Sequence, residues 1–540
     1  VGCLLKKYRP SLEVAIFERE RFPRDHVGES HLPAISPILV EMGVWDKVEA
    51  AEFPIKIGAT YRWGATDELW DLDFLDGKAL ESGPRPQPFA GQRQWTAFQV
   101  DRSIYDKILL DHARSLGCLV FEGTKASGFE ILEDQVKGFQ ISGDGAESDQ
   151  ELIEASYYID ASGDAGILRR RLEIPIESPS LLRNIAIWDY WQNAEWAVTI
   201  GNGGTRIQIM SLGWGWLWFI PVTPTRTSVG LVVPAEYYKK SGKSTEQLYR
   251  EAIAEEPLIS KLLANATPEE NIVATRDWSF LAERLAGPNW FLAGDACGFA
   301  DPILSAGMTL AHTGARKIAY TILELFKGKL DAGWLKTEYS EVQRGQIRQH
   351  IDFADFWYSS NGRFTDLKVY CTEIASRAGL DLDSDQAFRW LASGGFAVAE
   401  PGNARAMSFR LLGIKYVAQK LSGTQPEWDV SKYNFYRLNF TDTTQSVFAD
   451  YKDGAVIPVK CLRRGARMLP IVGVYAHVIR ALERNMDSVM ILEDAVNALI
   501  RIDGCDPKEA FLRVSEALES LLVEGWIKPK ALAGRPFIKV

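Results

Sequence analysis

The chain has 540 residues, 46% apolar and 24% charged, with a formal net charge of −10. That length predicts two or three domains rather than one core, and an acidic chain with no block of five basic residues argues against a nucleic-acid partner. No apolar run approaches the ~18 residues of a membrane span and no signal pattern opens the chain. Six scattered cysteines (3, 118, 297, 371, 461 and 505) lack CxxC or zinc spacing. They suit reduced thiols in a cytoplasmic enzyme, and the dispersed histidines give no metal site.

Val1, Leu4, Leu5 and Tyr8 stand at i, i+3, i+4 and i+7, so the chain opens inside an amphipathic helix that Pro10 ends. Glu13 to Glu18 then reads as a buried strand closing on an acid. A helix followed by such a strand is the second half of a dinucleotide-binding βαβ unit, with Glu18 suited to a ribose hydroxyl. The first strand and its Gly-rich turn are not in the sequence. The expectation is a start lacking about 15–20 residues; the alternative is a damaged nucleotide site.

A helix is expected over 33–42 and a strand over 55–63. Simple alternation puts Ile55, Ile57, Ala59, Tyr61 and Trp63 on one face and Lys56, Gly58, Thr60 and Arg62 on the other. Residues 66–94 read as a lid-like loop, 102–116 as a helix, and Tyr157 to Asp160 as a buried strand. Residues 181–234 read as an inserted antiparallel sheet. Residues 307–440 are expected to be mainly helical, as are 470–524, and the tail (526–528 with 536–540) could close as a hairpin. The resulting division is 1–310, 311–450 and a small helical or winged-helix-like module over 451–540.

Two segments carry candidate chemistry. Trp214, Trp216 and Trp218 alternate along a strand ending at Pro221, as sheet core or as a wall that shields a reactive site. Phe299 to Gly307 is a turn-rich loop between an apolar strand and a helix. Pro302 stiffens it, and Gly307 allows close backbone approach at the positive helix end, suited to an electron-rich ring or a small anion. Lys56 is either a snorkelling surface lysine or a positioned amine near an electrophile. Phe353, Phe356 and Trp357 share one helix face, as core or as the wall of an aromatic pocket.

These residues resemble the flavin-dependent halogenases. Trp216-Leu217-Trp218-Phe219-Ile220-Pro221 matches the family's WxWxIP signature, and Phe299, Pro302, Ser305 and Gly307 match FxxPxxSxG. Phe53 to Ala59 looks like the segment bearing the family's active-site lysine; Gly28-Glu29-Ser30 and Val100-Asp101-Arg102 also resemble family segments. The likeness covers about residues 1–440. It implies an α/β FAD-binding fold of the glutathione-reductase type with an inserted antiparallel sheet and a helical C-terminal part. The implied reaction uses reduced FAD (FADH2) supplied by a separate flavin reductase, with oxygen and chloride or bromide. Hypohalous acid then travels to the lysine matching Lys56 and halogenates an electron-rich aromatic.

By the same resemblance Glu18, Arg102, Asp295 and Met308 contact the cofactor, while Ser305, Ala306 and Gly307 hold halide. Trp216, Trp218, Phe299 and Pro302 line the passage. Where tryptophan-specific members carry glutamate before the signature serine, this chain has Leu304. A phenol or pyrrole is therefore expected, possibly tethered to an acyl or peptidyl carrier protein. The alternatives are an aromatic hydroxylase of the same fold, disfavoured by Ser162-Gly163 in place of Asp-Gly, and a relative unable to hold FAD.

Overall fold

The computed structural model describes the chain except residues 65–66, 76–79, 144–151, 181, 277–278, 360–375, 377–414, 418, 421–427 and 466. Helix α1 (Gly2–Tyr8) buries Leu4 and Leu5, and Pro10 lies just past its end. β1 (Ala15–Glu18), β2 (Ile55–Arg62), β3 (Trp70–Asp73), α2 (Arg102–Ser115) and β4 (Leu119–Glu122) follow. β1 pairs in parallel with β4, Ala15 to Leu119 and Glu18 to Glu122. β5 (Tyr158–Asp160) is also in a parallel pair, with a strand far along the chain. Parallel pairs joined by long connections are what a nucleotide-binding α/β half requires.

Next come β6 (Asn184–Gln192), β7 (Gly204–Ser211), β8 (Trp216–Pro221) and β9 (Arg226–Pro234). These are the expected inserted strands, and they join β2 and β3 in a nine-stranded sheet. β2 runs parallel to β7 and antiparallel to β3. The lid expected over 66–94 is therefore partly sheet: Trp70 and Leu72 point into the core while Asp71 and Asp73 alternate with them. One face of the sheet carries an aromatic core that includes Tyr61, Trp63, Trp216 and Trp218, whereas Phe219 and Leu231 pack on the other side under helices over 245–262.

β10 (Trp290–Leu292), the partner of β5, leads through the signature loop into α3 (Ala306–Lys327) and α4 (Ala332–Ser359). The rest of the helical expectation to residue 440 lies largely outside the described residues. The C-terminal part then holds β11 (Phe435–Leu438), β12 (Thr444–Lys452), β13 (Ala455–Arg464), β14 (Arg467–Pro470), α5 (Gly473–Arg484), α6 (Ser488–Asp503), α7 (Pro507–Val523) and β15 (Ile527–Lys530). Two corrections follow. The tail strand pairs with β11, not with residues 536–540. The helices are preceded by a β12–β13 hairpin whose Ala449 and Val456 belong to the core under α3 and α4.

Candidate functional site

Lys56 owes its position to an irregularity in β2. Between Thr205 and Arg206 of β7 the pairing jumps from Lys56 to Gly58, leaving Ile57 as an extra residue. One inserted residue resets the alternation of a strand. Lys56 thus shares a face with Ala59 and Tyr61 and lines a narrow cavity with them, contrary to the simple alternating pattern. The cavity has a volume of about 10 Å³ and is closed by Leu72, Phe74, Leu304 and Ser305. That is room for about one water-sized molecule.

The lysine is 2% exposed, so the snorkelling alternative fails. Its Nζ donates to Ser30 Oγ at 2.7 Å and Ser305 Oγ at 3.3 Å. Among the described residues it forms no ion pair, and burial pushes the amine down to about 7.

Ser30 was not singled out as a site residue, although it ends the Gly28-Glu29-Ser30 segment. Arg102 holds that segment: its Nη1 donates to the Val27 and Gly28 carbonyls at 3.1 and 3.2 Å, while Nε and Nη2 grip Asp106 at 2.7 and 2.8 Å. Glu29 faces the sheet and accepts from Tyr190 OH at 2.6 Å. Burial pushes the Glu29 carboxyl up to about 7, against the pull of its hydrogen bonds.

The signature loop supplies the other wall. Pro302 begins a tight turn (Pro302–Leu304) whose first residues are tied by Asp301 Oδ1 accepting from Ile303 N at 2.8 Å. Ser305 then takes left-handed backbone angles, φ 56° and ψ 33°, as N-cap of α3. Its hydroxyl does not cap the helix and instead accepts from Lys56. The strain is therefore at Ser305 and not at Gly307, which lies in the first turn of α3 without a positive φ. The pressure at 307 is on space: a Cβ there would lie 3.0 Å from the Phe299 ring, which would have to give way. Ala306, Gly307 and Met308 present first-turn amides that no helical carbonyl can take.

Trp216 and Trp218 face the aromatic core, but Trp214 does not. It precedes β8, packs with the opposite core and donates to Glu255, because the turn before the strand breaks the alternation. Trp216 Nε1 donates to Tyr358 OH at 2.8 Å, and Trp218 Nε1 to Ser228 Oγ at 3.1 Å. From α4, Phe353, Phe356 and Trp357 press on the same face. Trp357 lies 4.9 Å from the Tyr61 ring, and its carbonyl accepts from Trp63 Nε1. The segment is core packing that also backs the Lys56 cavity through Tyr61.

Glu18 and Asp295 make no hydrogen bond or ion pair with Lys56 among the described residues. The Glu18 carboxylate ends β1, accepting from Glu20 N at 2.9 Å. Asp295 follows β10; burial raises its carboxyl to about 6, with Arg102 opposing and Asp164 adding to the rise. Met308 O accepts from His312 Nδ1, and His312 Nε2 in turn takes the Tyr105 hydroxyl, both at 2.8 Å.

The fit to a flavin dinucleotide rests on polar atoms left over between these elements. Both ring nitrogens of His31, both side-chain polar atoms of Gln99 and Thr309 Oγ1 are buried without a partner among the described residues. His31 follows Ser30, Gln99 bridges Ser30 through its backbone, and Thr309 follows Met308. Together with the acids at Glu18 and Asp295, these donors and acceptors fit a ring system bearing carbonyl and N–H groups on a ribose-containing chain.

Comparison with known proteins gives the same answer. The family model described as tryptophan halogenase matches residues 2–95 and 75–367. The tryptophan 2-halogenase of Chondromyces crocatus is 30% identical over 431 residues, 78% of each chain. The 1H-pyrrole-2-carbonyl-[peptidyl-carrier protein] chlorinase of Pseudomonas fluorescens is 31% identical over 67% of this chain and 82% of its own. Among solved structures, the flavin-dependent halogenase CmlS matches with a TM-score of 0.73 and 21% identity, covering 100% of this chain and 95% of that one. The myxobacterial chondrochloren halogenase CndH matches with a TM-score of 0.60 and 24% identity over 77% and 93%; both likenesses speak to the fold. The chain belongs to the tryptophan halogenase family and is a flavin-dependent halogenase, an oxidoreductase working with FAD and halide.

Proposed function

We propose that this enzyme halogenates an electron-rich phenol or pyrrole, presented on a carrier protein, and that Lys56 holds the electrophile. The observation that carries this reading is the buried Lys56 amine, set between Ser30 and Ser305 at a cavity the size of one small molecule. Bound reduced FAD, with oxygen, supplies the oxidising equivalents that convert halide to hypohalous acid. A separate flavin reductase provides the reduced cofactor, and the free buried cysteines favour a cytoplasmic setting.

The chain's own residues do the rest. First-turn amides at Ala306 and Gly307, beside Ser305, form the halide site at the positive end of a 22-residue helix. Glu18, Asp295 and the backbone of Met308 hold the cofactor, and Arg102 fixes the loop between it and Lys56. Near neutral pH the Lys56 amine is divided between its charged and neutral forms. The charged form donates a hydrogen bond to hypohalous acid. The neutral form exchanges one N–H hydrogen for halogen and releases water; the aromatic carbon then takes that halogen and returns its proton to the amine. Trp216, Trp218, Phe299 and Pro302 keep substrate and bulk water from the cofactor side. Leu304 leaves no carboxylate beside Ser305 for an amino-acid ammonium.

The relative that acts on a pyrrole-2-carbonyl carrier protein supports a tethered acyl aromatic. The test incubates the enzyme with FAD, a flavin reductase, halide and either pyrrolyl- or hydroxyaryl-loaded carrier protein or free tryptophan, with intact mass as readout. Mass gain by halogen on a carrier-bound aromatic is expected. Halogenation of free tryptophan alone overturns the reading.

A further inference from the structure

A second and much larger cavity, about 410 Å³, lies on the far flank of the signature loop from Lys56. Its inner wall is formed by Phe280, Ala300, Asp301 and the α4 residues Ile351, Ala354 and Asp355; Arg169, Arg170 and Arg183 also line it. Asp301 and Tyr358 stand between it and the aromatic core behind Lys56. It is not the delivery cavity.

The charges are unevenly used. Asp301 accepts from Ile303 N and faces the Tyr358 hydroxyl, and Asp355 accepts from Ser180 Oγ at 2.5 Å. Among the described residues the guanidiniums have only backbone acceptors. Arg169 and Arg170 both donate to the Asp164 carbonyl, at 3.1 and 3.3 Å. Arg183 donates to the Ser180 and Leu182 carbonyls, both at 2.9 Å.

Among the described residues none of the three forms an ion pair; the Asp164 and Asp160 carboxylates act on Arg169 only from beyond contact, against the like charge of Arg170. Arg169 is 5% exposed, its Nε has no acceptor among the described residues, and its guanidinium lies 4.8 Å over the Phe280 ring. Gly166, at φ +48°, makes room for it: a Cβ there would lie 2.6 Å from Nε. A buried arginine held in place without a counter-ion is a costly arrangement unless an anion completes it.

We propose that this cavity binds a phosphate ester: a phosphate at the three arginines, with its organic body against Phe280, Ile351 and Ala354. A tetrahedral, multiply charged anion offers acceptor oxygens to several guanidiniums at once, which a single carboxylate does not. The volume is that of an organic ligand site rather than of an inorganic ion. Two sources share this chemistry, the phosphopantetheine arm of a carrier and a nicotinamide dinucleotide.

The test titrates FAD-loaded enzyme with 4′-phosphopantetheine, NADP⁺ and inorganic phosphate by calorimetry, at low and moderate salt. At least one organic phosphate should bind about tenfold or more tighter than inorganic phosphate, and the one that does identifies the source. Arg170→Gln and Arg183→Gln, at exposed positions that spare the fold, should each weaken it about tenfold. Arg169→Lys should weaken it as well, and FAD affinity, read by flavin fluorescence, should not change in any variant. Organic phosphates binding no better than inorganic phosphate, wild-type binding by the variants, or loss of FAD in step with the loss of phosphate would each overturn the site.

Discussion

Trp216 and Tyr358, 142 residues apart, are joined by a 2.8 Å hydrogen bond from the indole Nε1 to the phenol oxygen. The same hydroxyl faces the Asp301 carboxylate at 3.2 and 3.3 Å. The two family signatures are thereby fastened to each other through the end of α4. That link ties the strand bearing Trp216 to the loop that positions Ser305. Tyr358→Phe should strand a buried indole N–H and cost about 1–3 kcal/mol. Chemical denaturation of the FAD-loaded variant measures it, and an unchanged midpoint would show that this link does not hold the loop.

Lys56→Ala should lower product formation by at least about 10²–10⁴ while FAD binding and flavin oxidation continue. With its amine at about 7, wild-type halogenation should rise as pH increases through that value and the neutral form accumulates. Lys56→Arg keeps the charge but does not titrate in this range, so residual activity should lose that limb. Product yield by mass spectrometry beside oxygen uptake separates the two readouts; a wild-type pH limb in the arginine variant would assign it elsewhere.

Glu29 gives a stability signature of opposite sense. Its carboxyl is near 7 in the folded protein against an ordinary 4.5. Between those values the folded state holds more protons than the unfolded chain. The stability contributed by neutral Glu29 is full below the lower value and is lost as pH rises through the upper one. Glu29→Gln stays neutral and should flatten that fall. Denaturation midpoints at about pH 5 and about pH 8 decide it, and an unchanged slope in the variant would exclude Glu29 as the cause.

Much of the fold was legible because periodicity and punctuation agreed. The opening helix, the strand ending at Glu18, the helix from Arg102 and the inserted sheet all have clear patterns and stops. The bulge at Ile57 was not legible: it depends on the partner strand, so alternation placed Lys56 on the wrong face. The contact of Lys56 with Ser30 and Ser305 is a product of tertiary packing, and only the signatures pointed toward it. The β12–β13 hairpin did carry a signal, Asp453-Gly454 with positive φ at both residues, between alternating runs.

Ser305 separates strain from function. Its φ of 56° is unfavourable for any side chain and is maintained by the turn before α3. Ser305→Gly should relieve up to about 1–3 kcal/mol of strain, partly offset by glycine's greater entropy loss. Halogenation should nevertheless fall, because Lys56 keeps Ser30 and loses its link to the loop. Thermal denaturation with product assays tests both halves; a variant less stable than wild type would show that the hydroxyl contact outweighs the backbone strain.

Trp357 offers the sharpest division between packing and specificity. It is fully buried among Tyr61, Trp70 and Phe353, so Trp357→Ala opens a cavity and should cost about 3–5 kcal/mol. That variant alone cannot reveal a role in substrate choice. Trp357→Phe keeps a ring in the core and removes the indole Nε1, which is buried and has no partner among the described residues. Losing an unsatisfied donor offsets part of the lost packing, so the variant should remain folded and oxidise flavin at a wild-type rate. The space behind Tyr61 would be enlarged by part of an indole, on the side of the sheet that carries Lys56. Larger phenols or a shifted site of attack should then be accepted, as shown by product mass and fragmentation. If Trp357→Phe yields the same products in the same ratio, Trp357 acts in the core alone and the substrate wall lies elsewhere around Lys56.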